Sequence, residues 1–326
     1  MSKSKINYAE IAILGFSFFV FLLVILKPSI YLGSVSKGIL IWASVILPGL
    51  IPFMFLGKIL AQNPYTFKSC FLLSKVTEKC FRCPSVTGYI YFMSILSGYP
   101  MGAKLIKDFR EAGMLNDSEC KKAVSFCSTS GPIFMIGSVG ASLLGSYKAG
   151  VIIFCSHILA SFICGLVFRG KKCIVTKSIF ERQKSSKDLL NDSMYSTIIS
   201  SLIVGGFIAF TFLLIDIFYN LGVINFIGKA LNYILFFGKL NAGNEVAAGL
   251  IEVTRGCLEL SQTSLSLATK TIICSGLTAF GGLSVHLQSM VFLSSVNVKY
   301  GYFIKTKLAH TIFTVVLAYL LCLIFM

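Results

Sequence analysis

Four interruptions of apolar stretches by Gly, Pro and Ser are the places in this sequence that could bind a solute. They lie at residues 97–102, 128–132, in the region that opens at 241–244, and at 278–284. Backbone N–H and C=O groups left unpaired in lipid cost several kcal/mol, so such breaks persist only where protein or a wet cavity satisfies them. Half-helices beginning after Gly102, Gly131 and Gly282 would direct free N–H groups and positive dipole ends at one centre. The pattern predicts a site for a carboxylate or another anion. Helix packing is the alternative for each single break, since Gly and Pro are frequent in membrane helices.

Ionisable residues cluster near the third interruption. Glu245, Glu252 and Glu259 recur every seven residues, which would place them on one stripe of a continuous helix, and Arg255 lies between the last two. If the segment lies at membrane depth, an ion pair there could neutralise Arg255 or free it for an anionic substrate. If it lies in the interface, the same pattern is a solvated face, and both interpretations stay open.

Other residue types give little sign of chemistry. His157, His286 and His310 are too scattered for a metal triad and read as hydrogen-bonded packing residues, of which His286, next to a break, could line a cavity. The eleven Cys are odd in number, and five of them lie in apolar runs, where Cys mostly acts as a small hydrophobic residue: Cys127, Cys155, Cys164, Cys274 and Cys322. Hydrolase, metalloprotease and nucleotide-binding motifs are not found in the sequence. We therefore expect no enzyme, no cofactor and no metal, but a transporter driven by an ion or substrate gradient, with the coupling ion left open.

Composition requires the elements around these sites to lie in a membrane. The 326 residues are 56% hydrophobic and 13% charged, with a mean hydropathy of +0.83. Soluble domains carry about 25% charged residues. At about 20 residues per helical crossing, the chain has room for seven to ten embedded segments and no separate soluble domain. The expected class is an all-α polytopic membrane protein.

The hydropathy pattern repeats once along the chain. Each half reads as a kinked or Gly-rich crossing, a helix lying flat in the headgroups, a re-entrant hairpin, a broken crossing and a plain crossing. The predicted units are an extra N-terminal transmembrane helix (1–38), a first repeat (39–168), a basic loop (169–197) and a second repeat (198–326). Three full crossings per unit force the second unit to be inserted upside down, as an inverted-topology repeat. Repeated hydrophobicity without true symmetry is the alternative.

The charge distribution agrees with this topology. The net charge is +16, and a cytoplasmic N-terminus would place 22 of the 29 Lys and Arg, including the 169–187 loop, on the cytoplasmic side. This asymmetry satisfies the positive-inside rule, so we interpret the charge by membrane side and not as nucleic-acid binding.

Four motifs together resemble one family. They are Leu96-Ser-Gly-Tyr-Pro-Met-Gly-Ala-Lys104, Ser130-Gly-Pro-Ile-Phe134, Glu252-Val-Thr254 and Phe280-Gly-Gly-Leu-Ser-Val-His-Leu-Gln288. In this order they are similar to the YlbJ type of sporulation integral membrane proteins, which include stage V sporulation protein V and carry the nucleoside recognition or Gate domain. The resemblance implies an endospore former, the outer forespore membrane, and passage of dipicolinate toward the spore.

The expected substrate contacts combine the breaks with these motifs. Opposed half-helix N-termini would each take one carboxylate of dipicolinate, Ser hydroxyls would donate, Tyr99 would stack on the ring and Arg255 would supply a charge. The predicted substrate-binding residues are Ser97, Gly98, Tyr99, Gly102, Ser128, Thr129, Ser130, Gly131, Glu252, Thr254, Arg255, Gly281, Gly282, Ser284 and His286.

Two competing functions stay open. A nucleoside or nucleobase substrate would prefer carboxamide and carboxylate partners over an unpaired Arg. A noncatalytic membrane scaffold of a sporulation complex would use the breaks only for packing. The expected partners are the lipid bilayer and a small organic anion, and assembly as a homo-oligomer is left open.

Overall fold

The computed structural model describes residues 8–61, 71–170 and 186–326, and every regular element in these ranges is helical. The first part of the chain holds α1 (Tyr8–Leu26), α2 (Pro28–Ile41), a π-helical turn (Trp42–Ile46), α3 (Leu47–Ala61), α4 (Phe71–Val76), a second π turn (Thr77–Phe81), α5 (Val86–Ser97), α6 (Met101–Glu111), α7 (Asp117–Cys127), a long π-helix (Ile133–Leu143) and α8 (Tyr147–Val167). The second part holds α9 (Ser186–Asn220), α10 (Val223–Phe236), α11 (Gly243–Ile251), α12 (Val253–Ser261), α13 (Leu267–Phe280), α14 (Gly282–Leu293), a 3₁₀ turn (Ser294–Val296) and α15 (Tyr300–Phe325).

Five helical stretches are long and apolar enough to cross a membrane: Pro28–Leu60, Tyr147–Val167, Leu190–Asn220, Leu267–Val296 and Tyr300–Phe325. The sequence predicted seven crossings. The other two, Glu10–Leu26 and Ile133–Leu143, are shorter apolar helices. The predicted basic loop and the start of the first flat helix fall largely outside the described residues.

The hairpin arms are too short to cross alone. At 1.5 Å per residue the twelve residues of α5 span about 18 Å and the nine residues of α11 about 13 Å, against a hydrocarbon core of about 30 Å. The arms of each hairpin pack on each other. These lengths fit segments that enter the bilayer and return.

Packing follows the same pattern in the two halves. The second arm of the first hairpin, α6, contacts α14, and the second arm of the other hairpin, α12, contacts the long π-helix. Likewise α7 contacts α15 while α13 contacts α8, and α8 and α15 pack together. Each half therefore supplies the partner for the equivalent element of the other, as two units related by a two-fold axis do.

The flat helix of the second half is amphipathic. In α10, Ile224 and Gly228 are buried while Phe226 and Tyr233 are each 77% exposed. Aromatic side chains on such a face are typical of a helix lying in the membrane interface.

One sequence prediction for the second hairpin is wrong, because its three glutamates do not lie on a continuous helix. The helix that begins at Gly243 ends at Ile251. The next residue, Glu252, has an extended backbone (φ −142°, ψ 115°) and separates α11 from α12. Backbone contact between Gly249 and Gly256 closes the arms on either side of it. The three glutamates therefore do not share one helical stripe. Lys307 of α15 is also buried, with 1% of its surface exposed.

Candidate functional site

The chain breaks of each unit touch one another through glycine. A Cβ added at Gly98, at the tip of the first hairpin, would lie 2.5 Å from the amide nitrogen of Gly131 in the broken crossing. In the second unit a Cβ at Gly282 would lie 2.9 Å from the carbonyl oxygen of Gly249. Both glycines also have positive φ, of 72° and 66°. Only glycine combines this backbone with so close an approach, so each hairpin is locked against the broken helix of its own unit.

A cavity lies where the four breaks meet. Its volume is about 90 Å³, and one water needs about 10–15 Å³, so it has room for several waters. The polar lining is Ser97, Gly98, Tyr99, Ser130, Gly131, Ser138, Glu252, Thr254, Thr278, Ser284 and Gln288. Apolar walls come from α3 and the preceding π turn, the long π-helix and α9, with Leu50, Phe53, Ile133, Phe134, Val204 and Ile208 among them. Both units therefore contribute backbone breaks and hydroxyls to one centre.

The structure brings together eight of the predicted substrate-binding residues in this lining: Ser97, Gly98, Tyr99, Ser130, Gly131, Glu252, Thr254 and Ser284. The other seven predicted residues are not part of this lining. Gly102 packs α6 on α7, because a Cβ there would lie 1.8 Å from the carbonyl oxygen of Cys127. Thr129 is buried and donates a hydrogen bond to Ser94 Oγ over 3.1 Å.

The amide donor at the second break is already used. Ser130 N–H donates to His157 Nε2 over 3.0 Å, and the His157 ring stacks edge-on against His310 with centroids 4.5 Å apart. His310 Nε2 in turn lies 3.0 Å from the carbonyl oxygen of His157. Because Nε2 of a neutral His157 accepts, its proton belongs on Nδ1. The two histidines join the plain crossings of the units at the break, which is the packing role that the sequence indicated.

The helix start in the second hairpin carries its own anion. Glu252 caps α12, with Oε2 accepting from Arg255 N–H over 2.7 Å and Oε1 from Thr254 Oγ1 over 3.2 Å. Glu252 is 1% exposed and lines the cavity. A carboxylate of the chain therefore occupies the start of this helix, so its first N–H groups are not free to bind an anionic substrate.

Arg255 lies in an ion-pair network beside the cavity and does not line it. Its Nε is 2.5 Å from Glu259 Oε1 and its NH2 group 3.1 Å from Asp216 Oδ1, with the guanidinium 5.3 Å from the Phe212 ring centroid. Tyr219 donates to the other oxygen of Glu259 over 2.7 Å. Arg255 thus ties the second hairpin to α9 and is not free to meet a substrate in this conformation.

A histidine stabilises the backbone at the fourth break. Gly281 and Gly282 both have positive φ, of 87° and 66°, between α13 and α14. His286 Nε2 lies 3.0 Å from the Phe280 carbonyl oxygen, which the break frees, and Nδ1 lies 3.1 Å from Tyr300 Oη. His286 therefore satisfies the backbone at this break and lies outside the lining.

Lys307 is a buried cation behind the cavity. Its ammonium group donates to Tyr99 Oη and, over 3.2 Å, to the Ser128 carbonyl oxygen, and it lies 4.6 Å from the Tyr99 ring centroid. No carboxylate in the described part of the chain forms an ion pair with Lys307. A buried charge balanced by dipoles alone is costly, and ionisable residues in membrane helices are therefore rare.

Sequence reasoning missed Lys307 and Gln288. Lys307 was hidden among flanking basic residues, since no linear pattern shows which lysine of a helix faces inward. Gln288 Nε2 donates to Ser284 Oγ over 3.0 Å. The i, i+4 spacing of these two polar residues on an apolar helix was the available signal. Over residues 8–61, 71–170 and 186–326, no three His, Cys, Asp or Glu side chains lie close enough together to hold a metal ion.

Comparison with solved structures shows the fold. The chain has the all-α fold of concentrative nucleoside transporters: it superposes on two intermediate states of a CNTnw variant with TM-scores of 0.56 and 0.53, at 16% and 14% identity. These alignments cover 97% and 86% of this chain and 84% and 76% of those structures.

Sequence comparison shows similarity to a sporulation protein. The chain is similar to sporulation integral membrane protein YlbJ of Bacillus subtilis (strain 168), with 28% identity over 98% of this chain and 84% of that protein. This confirms the YlbJ-type resemblance that the four motifs indicated. No family model matches the chain, so the Gate-domain part of the resemblance stays a prediction.

Proposed function

We propose that this protein transports a small organic anion, dipicolinate, across the outer forespore membrane of a sporulating cell. The observation that carries the transport proposal is the cavity at which the breaks of both units meet, with hydroxyls from each unit. Such a site at the interface of two repeats suits alternating access, in which one unit rocks against the other around bound substrate. The membrane and the substrate are those that the resemblance of the four motifs implies, and the similarity to a sporulation integral membrane protein supports the sporulation context.

Donors on opposite sides of the cavity suit a flat dianion. Since Lys307 donates to Tyr99 Oη and Gln288 to Ser284 Oγ, the hydroxyl protons of Tyr99 and Ser284 are left to donate. Ser130 adds a third hydroxyl on the side of Tyr99. One carboxylate would be held by Tyr99 and Ser130 of the first unit and the other by Ser284 of the second. The charge of Glu252 is offset by its place at the start of α12.

Uptake into proteoliposomes tests the proposal. We expect wild-type protein to accumulate radiolabelled dipicolinate and Gly131→Leu to lower the initial rate about tenfold or more, because a leucine overfills the cavity. Gly206→Leu is the matched control, since Gly206 has no neighbour within 4 Å of an added Cβ and should keep the rate within about twofold. Equal uptake by Gly131→Leu and wild type would contradict the site. No uptake of dipicolinate or uridine by folded wild type would favour the scaffold.

A nucleoside or nucleobase is the second candidate substrate. The observation in its favour is the pairing of a carboxylate, Glu252, with a carboxamide, Gln288, in the same lining. Both groups suit the donors and acceptors of a neutral ribose or base.

Glu252→Gln separates the two substrates, because it removes a negative charge and keeps the shape of the side chain. For a dianion we expect unchanged or tighter binding in the variant, while for uridine the loss of the carboxylate should weaken binding about tenfold. Isothermal titration calorimetry measures the affinities of wild type and variant for dipicolinate and for uridine. Uridine binding that depends on Glu252, with none for dipicolinate, would overturn the anion proposal.

A further inference from the structure

A second and larger cleft lies away from the four breaks. Its volume is about 690 Å³, against about 90 Å³ for the central cavity, and it opens between α3, α6 and α9. The lining includes Lys58, Lys104, Asp108, Tyr195, Ser196 and Ile199. This size is within the range of ligand-binding pockets, and none of its residues belongs to the transport site proposed above.

Two ammonium groups lie at the inner end of this cleft. Lys58 is 7% exposed and lies next to Lys104, which is half-buried and donates a hydrogen bond to Ser196 Oγ. No described carboxylate pairs with either lysine within ion-pair distance. Two carboxylates, Asp108 and Asp192, also line the cleft, and Asp108 interacts electrostatically with both lysines from beyond ion-pair distance. Adjacent like charges repel in a partly buried site, and an anion between them would relieve the repulsion.

The cleft opens toward lipid at the level of the headgroups. Lys58 lies two residues before the end of the apolar span Pro28–Leu60, and Tyr195 lies five residues after the start of Leu190–Asn220. Tyr195 is 70% exposed and Ile199 41% exposed, so the outer wall is apolar and unpacked. Lysines and an aromatic residue at one depth are typical of the membrane interface. A ligand reaching the lysines from this side needs an acyl chain for the wall and an anionic head for the ammonium groups.

We infer that this cleft binds an anionic glycerophospholipid, with its phosphate between Lys58 and Lys104 and its acyl chain along Tyr195 and Ile199. Basic pockets between transmembrane helices are known to take such headgroups. A hydroxyl of a glycerol headgroup would donate to Asp108 at the rim. Because the lipid bridges α3 of the first half, α6 of the first hairpin and α9 of the second half, its occupancy would couple the lipid environment to the relative position of the two units.

Native mass spectrometry of the full-length protein in a neutral detergent measures the binding. Wild type is titrated with dioleoyl phosphatidylglycerol and, in parallel, with dioleoyl phosphatidylcholine. We expect one phosphatidylglycerol to bind at least about tenfold more tightly than phosphatidylcholine. Each lysine should contribute about fivefold, so Lys58→Gln/Lys104→Gln should bind phosphatidylglycerol about twenty-five-fold more weakly than wild type.

The matched control removes two lysines elsewhere. Lys107→Gln/Lys305→Gln changes the net charge equally at one partly exposed and one exposed lysine outside the cleft, and should keep the preference within about twofold. If the double variant in the cleft does not fold, Lys104→Gln alone, at the half-buried lysine, should still lose about fivefold. Equal lipid preference in wild type and Lys104→Gln, or no preference in wild type, would overturn the inference.

Competition with free phosphate shows whether the cleft binds a lipid phosphate or a soluble phosphate ion. Sodium phosphate at millimolar concentration should leave phosphatidylglycerol binding unchanged, because it offers nothing to the apolar wall. Displacement of the lipid by phosphate alone would instead assign the cleft to a soluble anion and overturn the lipid proposal. The dipicolinate uptake assay does not enter this test, so the failure of one proposal leaves the other standing.

Discussion

Gly98→Ala tests the contact between the first hairpin and the first broken crossing. Gly98 has φ 72° and ψ −166°, a backbone region that is essentially restricted to glycine and costs another residue about 1–3 kcal/mol. The added Cβ would also lie 2.5 Å from the amide nitrogen of Gly131, so one of the two backbones must shift, at about 1–3 kcal/mol for an overpacked position. The sum is about 2–6 kcal/mol.

Thermal unfolding of the detergent-solubilised protein, followed by loss of the monodisperse peak, measures this cost. At about 2 °C per kcal/mol for a chain of this size, we expect the melting temperature to fall by about 4–12 °C. Uptake should fall as well, because Gly98 and Gly131 both line the cavity.

Gly206→Ala is the matched control for this substitution. Gly206 is an exposed residue inside α9, with nothing within 4 Å of an added Cβ, so alanine there should leave the melting temperature unchanged or raise it slightly. A Gly98→Ala protein that melts and transports like wild type would refute the close contact and, with it, the geometry on which the site is built.

Three further outcomes follow from the contacts described. Lys307→Gln should lower the initial uptake rate about tenfold or more while the exposed Lys305→Gln leaves it unchanged, since only Lys307 supports the Tyr99 hydroxyl. Arg255→Ala should destabilise the protein by about 2–3 kcal/mol, because it leaves two largely buried carboxylates without their cation, yet change substrate affinity little; a large loss of affinity at unchanged stability would contradict its place outside the cavity. Hydrogen bonds donated to Asp117 hold the pKa of its carboxyl below the usual value, so its contribution is present above about pH 4 and lost as pH falls through the folded pKa. Asp117→Asn should therefore melt lower than wild type at pH 7, and the difference should shrink in acid, as melting curves from pH 7 to pH 3 would show.

Charge and hydropathy alone place the protein in a membrane. Apolar runs of about 20 residues have few other uses, so α8, α9 and α15 could be read from composition and length. The paired glycine-rich interruptions were visible for the same reason: unwound backbone in lipid needs a cause, and residues 97–102, 128–132 and 278–284 are breaks in the structure.

The sequence could not decide which polar side chains meet across the breaks. The spacing of Glu245, Glu252 and Glu259 suggested one stripe because a local pattern assumes an unbroken helix, whereas the chain reverses at Glu252. Only tertiary packing pairs Arg255 with Asp216 on α9. It also buries Lys307 behind Tyr99, which lies 208 residues earlier in the chain. Helical periodicity and hydropathy are local properties and determine what enters the membrane, while the partner of a buried charge depends on contacts between distant segments that only the folded chain creates.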